Sequence, residues 1–529
     1  MSATTDAYDM AGGLGVSAKN LVAFSAMIVG TLLAVVDIQI VASSIGTLSA
    51  SLGATIEEVA WVQSAYLTAE IIVIPLTAWL TKTFSTRNVV LVAVIGFTVA
   101  SIACACAWDL PSMIVFRILQ GLFGGVMIPI VMSSVYLIFP AGKQATALAV
   151  VGFVLMFPAI IGPILGGWIT EVLSWHWIFL MNVPIGVGVA LAVYRTVDFD
   201  KPDHSLLKHI DVWGIVLIAV FLASMEFVLK EGTKHDWFES SLITQLTVVA
   251  ILSFGLMLWR ELSVDHPVVD FRLWRNPYFA MGCTLSFVTG FVQFVPTFLL
   301  PAILSSIQDY NSFQIGNTMI VMGAFAALSG ILAATLEQRM DLRLMAAIGF
   351  GLTAYGMWID SNLTHEVGFG DLFWGQAIRG LGLMLMFLPC STVALGFLAE
   401  KDIGNGSGFF NLMRNLGGAV GLSLITWLMQ SRQDHHYQRL SEVVTEGRIA
   451  FDTVTNEPTP DMQLELMLPD QAISQTAVTE MATQLAQREA LVMTYNDLWF
   501  FVACIMVTSF LLIPFMKKPV GAISSAAVH

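Results

Sequence analysis

Charge is scarce in this chain. Asp, Glu, Lys and Arg make up 12% of its 529 residues, whereas soluble domains carry about 25%. With 56% of the residues hydrophobic, there is too little charged surface to keep an ordinary soluble domain in water. Basic residues are the scarcer sign: 24 Lys and Arg stand against 38 Asp and Glu, giving a net charge of -14. No basic stripe interrupts the apolar runs, which excludes nucleic acid as a partner. The five cysteines (Cys104, Cys106, Cys283, Cys390, Cys504) all fall inside apolar runs. They read as small buried hydrophobes, neither a disulfide framework nor a metal cluster. No phosphate-cradling glycine loop, metal-ligand cluster or catalytic triad is visible, so neither an enzyme nor a bound cofactor is expected. The first 17 residues are polar, with no basic region or cleavage site, and no cleaved signal peptide is expected.

What the chain has in quantity is long hydrophobic runs. Fourteen, each long enough to cross a bilayer, lie near 20–42, 58–81, 88–107, 111–138, 144–171, 177–195, 211–229, 241–260, 278–304, 314–336, 343–360, 372–398, 405–430 and 494–516. The expected class is therefore an all-α, multi-pass membrane protein. With the N-terminus on the cytoplasmic side, Lys19, Lys82, Arg87, Lys143, Arg195, Arg260, Arg272, Arg275 and Arg343 all fall inside. The short outer loops keep only Lys230 and Lys234. This asymmetry predicts that orientation, with both termini cytoplasmic. All the tryptophans, for example Trp79, Trp108, Trp213 and Trp374, fall near predicted span ends, as an interfacial belt requires. About half of the net negative charge lies in the 431–493 segment, predicted to be an outer loop, at Glu442, Glu446, Asp452, Glu457, Asp461 and others. Its second half has helical apolar spacing at Ile473, Ala477, Met481 and Leu485. Two readings of this loop stand: a docking surface for a partner, or a solvated cap.

The stretch Gly152 to Gly186 concentrates the unusual chemistry. Gly162-Pro163-Ile164-Leu165-Gly166-Gly167 strips side chains from one helix face. Gly162 and Gly166, four apart, let another backbone approach. Pro163 is expected to bend the span and Pro158 to add a second disturbance. An internal repeat is also legible. Arg117-Ile118-Leu119-Gln120-Gly121 opens the fourth span, Arg379-Gly380-Leu381-Gly382 lies at a similar depth in the twelfth, and Gly417, Gly418 and Gly421 echo the glycines of the fifth. Two six-helix halves around a central cavity follow, with the seventh and eighth spans left over between them. The expected divisions are 1–197, 198–276 and 277–529, the last including the 431–493 loop.

An ionisable group inside a span needs a reason, since it costs at least ~2.5–3.5 kcal/mol. Asp37 lies about 24 Å into the first span, and Arg117 enters the fourth from the opposite side to about 9 Å. In a core of about 30 Å these depths nearly coincide, so the two groups can pair if their helices are neighbours. They read either as a permanent salt bridge or as a proton-titrating carboxylate with a switchable partner. In the second case the arginine holds Asp37 charged, and its withdrawal favours the protonated acid. Glu70, mid-way along the second span, fits three roles: sharing the proton, binding a cationic substrate, or a structural hydrogen bond. Arg414 is mid-membrane by count and suits an anionic substrate or a polar network. Arg379 reads as a packing partner, and Glu226 with Lys230 as a solvated i,i+4 bridge. Adaptable cavity-lining groups are expected at Phe153, Met156, Phe157, Phe291, Gln293 and Phe294, with polar handles at Gln63, Tyr66 and Asn411. For each one separately, core packing or lipid contact is the competing explanation.

Several of these segments resemble a known family. The Gly162 to Gly167 run, with Gly152, is similar to the antiporter motif of major facilitator superfamily exporters. Ser174-Trp175-His176-Trp177-Ile178-Phe179-Leu180-Met181-Asn182-Val183-Pro184-Ile185-Gly186 resembles the signature of the fourteen-span drug:proton antiporters, of the EmrB type. Val35-Val36-Asp37 and Arg117-x-x-Gln120-Gly121 also match, and the loop from Pro75 to Arg87 resembles the cytoplasmic gating motif at Leu76, Trp79, Lys82 and Arg87. That loop departs from the pattern at Ala78 and Ser85, where glycines are usual, so a differently latched gate is expected. The resemblance implies a major facilitator fold and proton-driven export of amphipathic toxic compounds from the bacterial inner membrane, powered by the proton motive force without a cofactor. It also implies a periplasmic adaptor (membrane fusion protein) and an outer-membrane channel as partners. A dedicated exporter of one endogenous metabolite is the alternative. A non-transporting membrane sensor or scaffold is another, disfavoured by the short C-terminal tail.

Overall fold

The computed structural model describes residues 16–454 and 471–516, apart from Thr55, Ile210, Asp265, His266, Val268, Asp309, Asn311, Gln338, Glu400 and Lys401. Within these residues the chain is helical throughout. The first half comprises α1 (Ala18–Ser43), α2 (Ile45–Leu52), α3 (Ile56–Val73), α4 (Thr77–Phe84), α5 (Thr86–Ala105), α6 (Leu110–Gly124), α7 (Met127–Ile138), α8 (Ala141–Met156), α9 (Pro158–Val172), α10 (His176–Leu180) and α11 (Asn182–Thr196). A two-helix insertion follows, α12 (Val212–Glu231) and α13 (Ser241–Ser263). The second half comprises α14 (Pro277–Gln308), α15 (Ser312–Leu336), α16 (Leu342–Ile359), α17 (Phe369–Gly396), α18 (Ile403–Val454) and α19 (Gln471–Ser509).

Thirteen helical segments among the described residues are long and apolar enough to span a membrane. The remaining predicted run, 144–171, is divided into α8 and α9. The division falls at Phe157, just before Pro158, and not at Pro163. A proline removes one rung of the hydrogen-bond ladder, and Pro158 does so where α9 begins. The side chain of Pro163 lies outside the described residues.

Glycines set the packing, and they do so twice. Gly162 of α9 abuts Gln39 of α1, and Gly417 of α18 abuts the Phe287 backbone of α14. Gly121 of α6 rests on the Tyr66 backbone of α3, and Gly380 of α17 rests on the Met322 carbonyl of α15. The same helix pairs therefore meet through the same device in both halves, which is the physical content of the sequence repeat. Gly152 joins the halves: a β-carbon there would stand 2.7 Å from the Met384 sulfur of α17. Gly166 is buried and Gly167 half-buried on α9.

The insertion lies across the other seam between the halves. α12 packs on α3 and α18, with the Phe227 ring 5.2 Å from that of Trp61. The acidic segment contains the continuation of α18 to Val454 and the first part of α19. Beyond residue 430, α18 alone runs roughly 36 Å at 1.5 Å per residue. The base of this hairpin is tied by His436 to Asp497 at 2.9 Å; the middle of the acidic loop lies outside the described residues. Two expectations are corrected here. Cys106 and Cys504 are exposed on the bundle surface, unlike buried Cys104, Cys283 and Cys390. Trp499 is fully buried and lies 4.9 Å beneath the Arg379 guanidinium, so it is no belt residue.

The loop from Pro75 to Arg87 is latched from outside the motif. Asp200, beyond α11, accepts hydrogen bonds from the Thr86 amide and hydroxyl, both at 2.7 Å. Arg87 lies 4.8 Å over the Tyr194 ring. Ser85 has φ +70° and ψ 150°, a conformation natural to glycine and strained for serine.

Candidate functional site

Asp37 and Arg117 meet. Neither has solvent-exposed side-chain surface, and Arg117 Nη1 donates to Asp37 Oδ2 in a short contact. The depth argument works because α1 and α6 belong to one half and share α3 and α5 as neighbours. Around the pair the chain builds a polar network, in which Nη2 of Arg117 has no hydrogen-bonding partner among the described residues. Gln120 Nε2 donates to Asp37 Oδ1 at 3.0 Å and to Ser101 Oγ at 2.8 Å. Asn182 Nδ2 donates to the same Asp37 oxygen at 2.8 Å. Arg117 also donates to Gln120 Oε1 at 2.7 Å and to the Val62 carbonyl at 3.0 Å. Its guanidinium lies 4.4 Å over the Tyr66 ring. Both Asp37 oxygens are thereby satisfied, by three donors in all. Asp37 of α1 is held by groups from α6 and α11, from which Ser101 of α5 accepts in turn, so a shift among these helices alters the network.

A second site lies beside the first. Between the two halves is a cavity of about 790 Å³. Glu70, Gln63 and Gln39 line it from the first half, Gln293, Phe294 and Arg414 from the second, and Glu226 and Lys230 from inserted α12. The cavity extends toward the end of the bundle that carries the acidic hairpin, reaching Ser305 and Ile315. Toward the end where α1 begins it is shut by contacts between the halves. Ser407 Oγ donates to the Pro129 carbonyl at 3.2 Å, and Asn411 Nδ2 lies 3.0 Å from the Met132 sulfur. A β-carbon at Gly404 would stand 3.4 Å from the Ala78 side chain. The bundle is thus open at one end and closed at the other.

The expected cavity residues divide. Gln63, Gln293, Phe294, Glu70 and Arg414 line it. Tyr66 does not: it is fully buried under Arg117, its hydroxyl 3.3 Å from the Ala34 carbonyl. Phe291 is buried against Gly421 of α18. Asn411 is buried in the closing contact, also donating to the Ser407 carbonyl at 2.9 Å. Phe157 is half-buried at the break between α8 and α9. The side chains of Phe153 and Met156 lie outside the described residues. Glu226 and Lys230 pair at 2.8 Å as expected, but Glu226 is 1% exposed and the pair faces the cavity instead of solvent.

Sequence reasoning missed two elements. Asn182 sits in the quoted Asn182-Val183-Pro184 signature, and a lone amide inside an apolar run was the available signal. Asp360 pairs with Arg379 at 3.2 Å, both fully buried in the second half. It ends the eleventh apolar run, where an acid passes for a loop residue.

Two pseudo-repeated helical halves, a cavity open at one end and a sealed ion pair beside it are the architecture of a membrane transporter. The chain belongs to the Major Facilitator Superfamily, whose family profile matches residues 27–422. It is 35% identical to the colistin resistance protein EmrB of Acinetobacter baumannii, over 94% of this chain and 96% of that one. It is 29% identical to the multidrug export protein EmrB of Escherichia coli, over 94% and 95%. Among solved structures, the fold is similar to that of the proton:xylose symporter XylE, with a TM-score of 0.59, 12% identity and coverage of 94% and 96%. The protein is thus a multi-pass inner-membrane transporter with the all-α major facilitator fold.

Proposed function

We propose that this protein exports amphipathic toxic small molecules across the bacterial inner membrane in exchange for protons. Asp37 carries the proton, and Arg117 is its switchable partner. The observation that carries this reading is the complete burial of the pair beside, but not in, the cavity. Substrate and proton then communicate through helix movement rather than by contact. With Arg117 against it, Asp37 is charged and the four helices are locked. When Arg117 withdraws, a buried carboxylate without its counter-charge takes up a proton, and the balance between the two access states changes. The membrane potential adds ~2.3 kcal/mol per charge per 100 mV. Glu70 faces the cavity and receives a cationic group of the substrate.

With both termini cytoplasmic, the open end of the cavity faces the periplasm. The helical hairpin built from the ends of α18 and α19 then projects outward, and its length and acidity suit contact with a periplasmic adaptor that leads to an outer-membrane channel. The names of two relatives, one for colistin resistance and one for multidrug export, support the substrate class. The test is efflux of several cationic and neutral dyes from vesicles under an imposed pH gradient. Gradient-dependent efflux of many is expected. Export of one compound alone supports a dedicated metabolite exporter, and flux of none supports a sensor.

A further inference from the structure

The inserted hairpin has no counterpart in the pseudo-repeat, yet one of its helices forms part of the cavity wall. Glu226 and Lys230, one turn apart on α12, face Glu70 of α3 and Arg414 of α18. All four are ionisable, two of each sign, so their charges sum to zero. Internal pairing does not use them up. Oε2 of Glu70, Oε2 of Glu226, and Nε and Nη1 of Arg414 are buried with no hydrogen-bonding partner among the described residues. Glu70 is 5% exposed and Arg414 3%. The four groups line one cavity.

We propose that α12 is part of the ligand-binding surface, and that the cavity takes zwitterionic amphiphiles: an ammonium and a carboxylate or phosphate on one apolar frame. A ligand with one charge satisfies one sign in the cavity and leaves the other facing no partner, which is costly away from water. A zwitterion satisfies both. Its ammonium lies against Glu70 and Glu226, its anion against Arg414 and Lys230, and its apolar frame along Phe294 and Phe298. This rests on the reading of the cavity as the substrate site. It assigns the insertion a role in recognition that the twelve repeated helices do not need.

The test is equilibrium binding to the purified full-length chain in lipid nanodiscs, with norfloxacin as zwitterion, tetraphenylphosphonium as cation and anilinonaphthalene sulfonate as anion. Lys230→Met is expected to weaken norfloxacin and the sulfonate by about tenfold and to leave tetraphenylphosphonium unchanged. Glu226→Gln is expected to weaken norfloxacin and tetraphenylphosphonium and spare the sulfonate. The doubly exchanged Glu226→Lys, Lys230→Glu variant keeps an ion pair for folding, and is expected to weaken norfloxacin as well. Wild-type norfloxacin affinity in that double variant would overturn the proposal, as would equal losses for all three probes in both single variants. Binding is read without flux, so failure of the export reading appears separately, as intact binding with no efflux from vesicles.

Discussion

The two halves each bury one carboxylate–guanidinium pair, and the two pairs are not alike. Asp37 in the first half receives hydrogen bonds from Arg117, Gln120 and Asn182, residues of α6 and α11. Asp360 in the second half receives Arg379 at 3.2 Å from adjoining α17, and its other oxygen has no hydrogen-bonding partner among the described residues. Both amide atoms of neighbouring Gln376 and Nε of Arg379 are in the same state. The first pair is a junction between separate helices in which both Asp37 oxygens are satisfied, although Nη2 of Arg117 has no hydrogen-bonding partner among the described residues, and the second is a link between sequence neighbours that leaves one carboxylate oxygen unsatisfied. A junction transmits movement because moving any helix breaks a bond to the same charge, whereas a local link rides along with its hairpin. Duplication therefore supplied two arginines at matching depth, and only one was built into a network spanning its half.

The sharpest way to break this contrast is to remove each arginine's role in turn. Arg117→Ala leaves Asp37 buried without its counter-charge and is expected to cost ~3–5 kcal/mol of stability, with loss of efflux. Thermal unfolding in detergent and vesicle flux read the two effects. Asp360→Asn keeps the shape and one acceptor at an already under-satisfied site. It is expected to cost ~1–3 kcal/mol in the same unfolding assay, with efflux retained. Loss of gradient-dependent efflux in Asp360→Asn would put the two pairs on equal footing. The smallest effect concerns the loops that join the second and third helices of each half. Ser85 adopts a positive φ in the first, and no described residue of the corresponding turn after α15 does. Ser85→Gly is therefore expected to stabilise the protein by ~1 kcal/mol, strain relief outweighing the flexibility glycine adds to the unfolded chain. Melting temperatures of the variant and wild type check it.

The fold was largely legible because a bilayer imposes span length, and the repeat of arginines and glycines exposes the two halves. The meeting of Asp37 with Arg117 was legible because helical rise converts sequence position into depth. Facing was not legible. On a membrane helix the lipid side and the packed side are both apolar, so periodicity does not tell them apart. That is why Tyr66, Phe291 and Asn411 suited a cavity in sequence and are packed elsewhere in the structure. Glu226 and Lys230 were misread for a related reason: their spacing shows that they pair, but only the position of α12 over the seam shows what the pair faces.

The central claim is that a charge held in the first half couples proton movement to substrate. It is tested most directly by the protons released when tetraphenylphosphonium is added to the purified protein in weakly buffered solution with a pH-sensitive dye. The substrate is expected to favour the state in which Arg117 holds Asp37 charged. Wild-type protein should then release protons, from those molecules in which Arg117 had withdrawn, and Asp37→Asn, saturated with the same probe, should release none. Equal release by the two proteins would contradict the account.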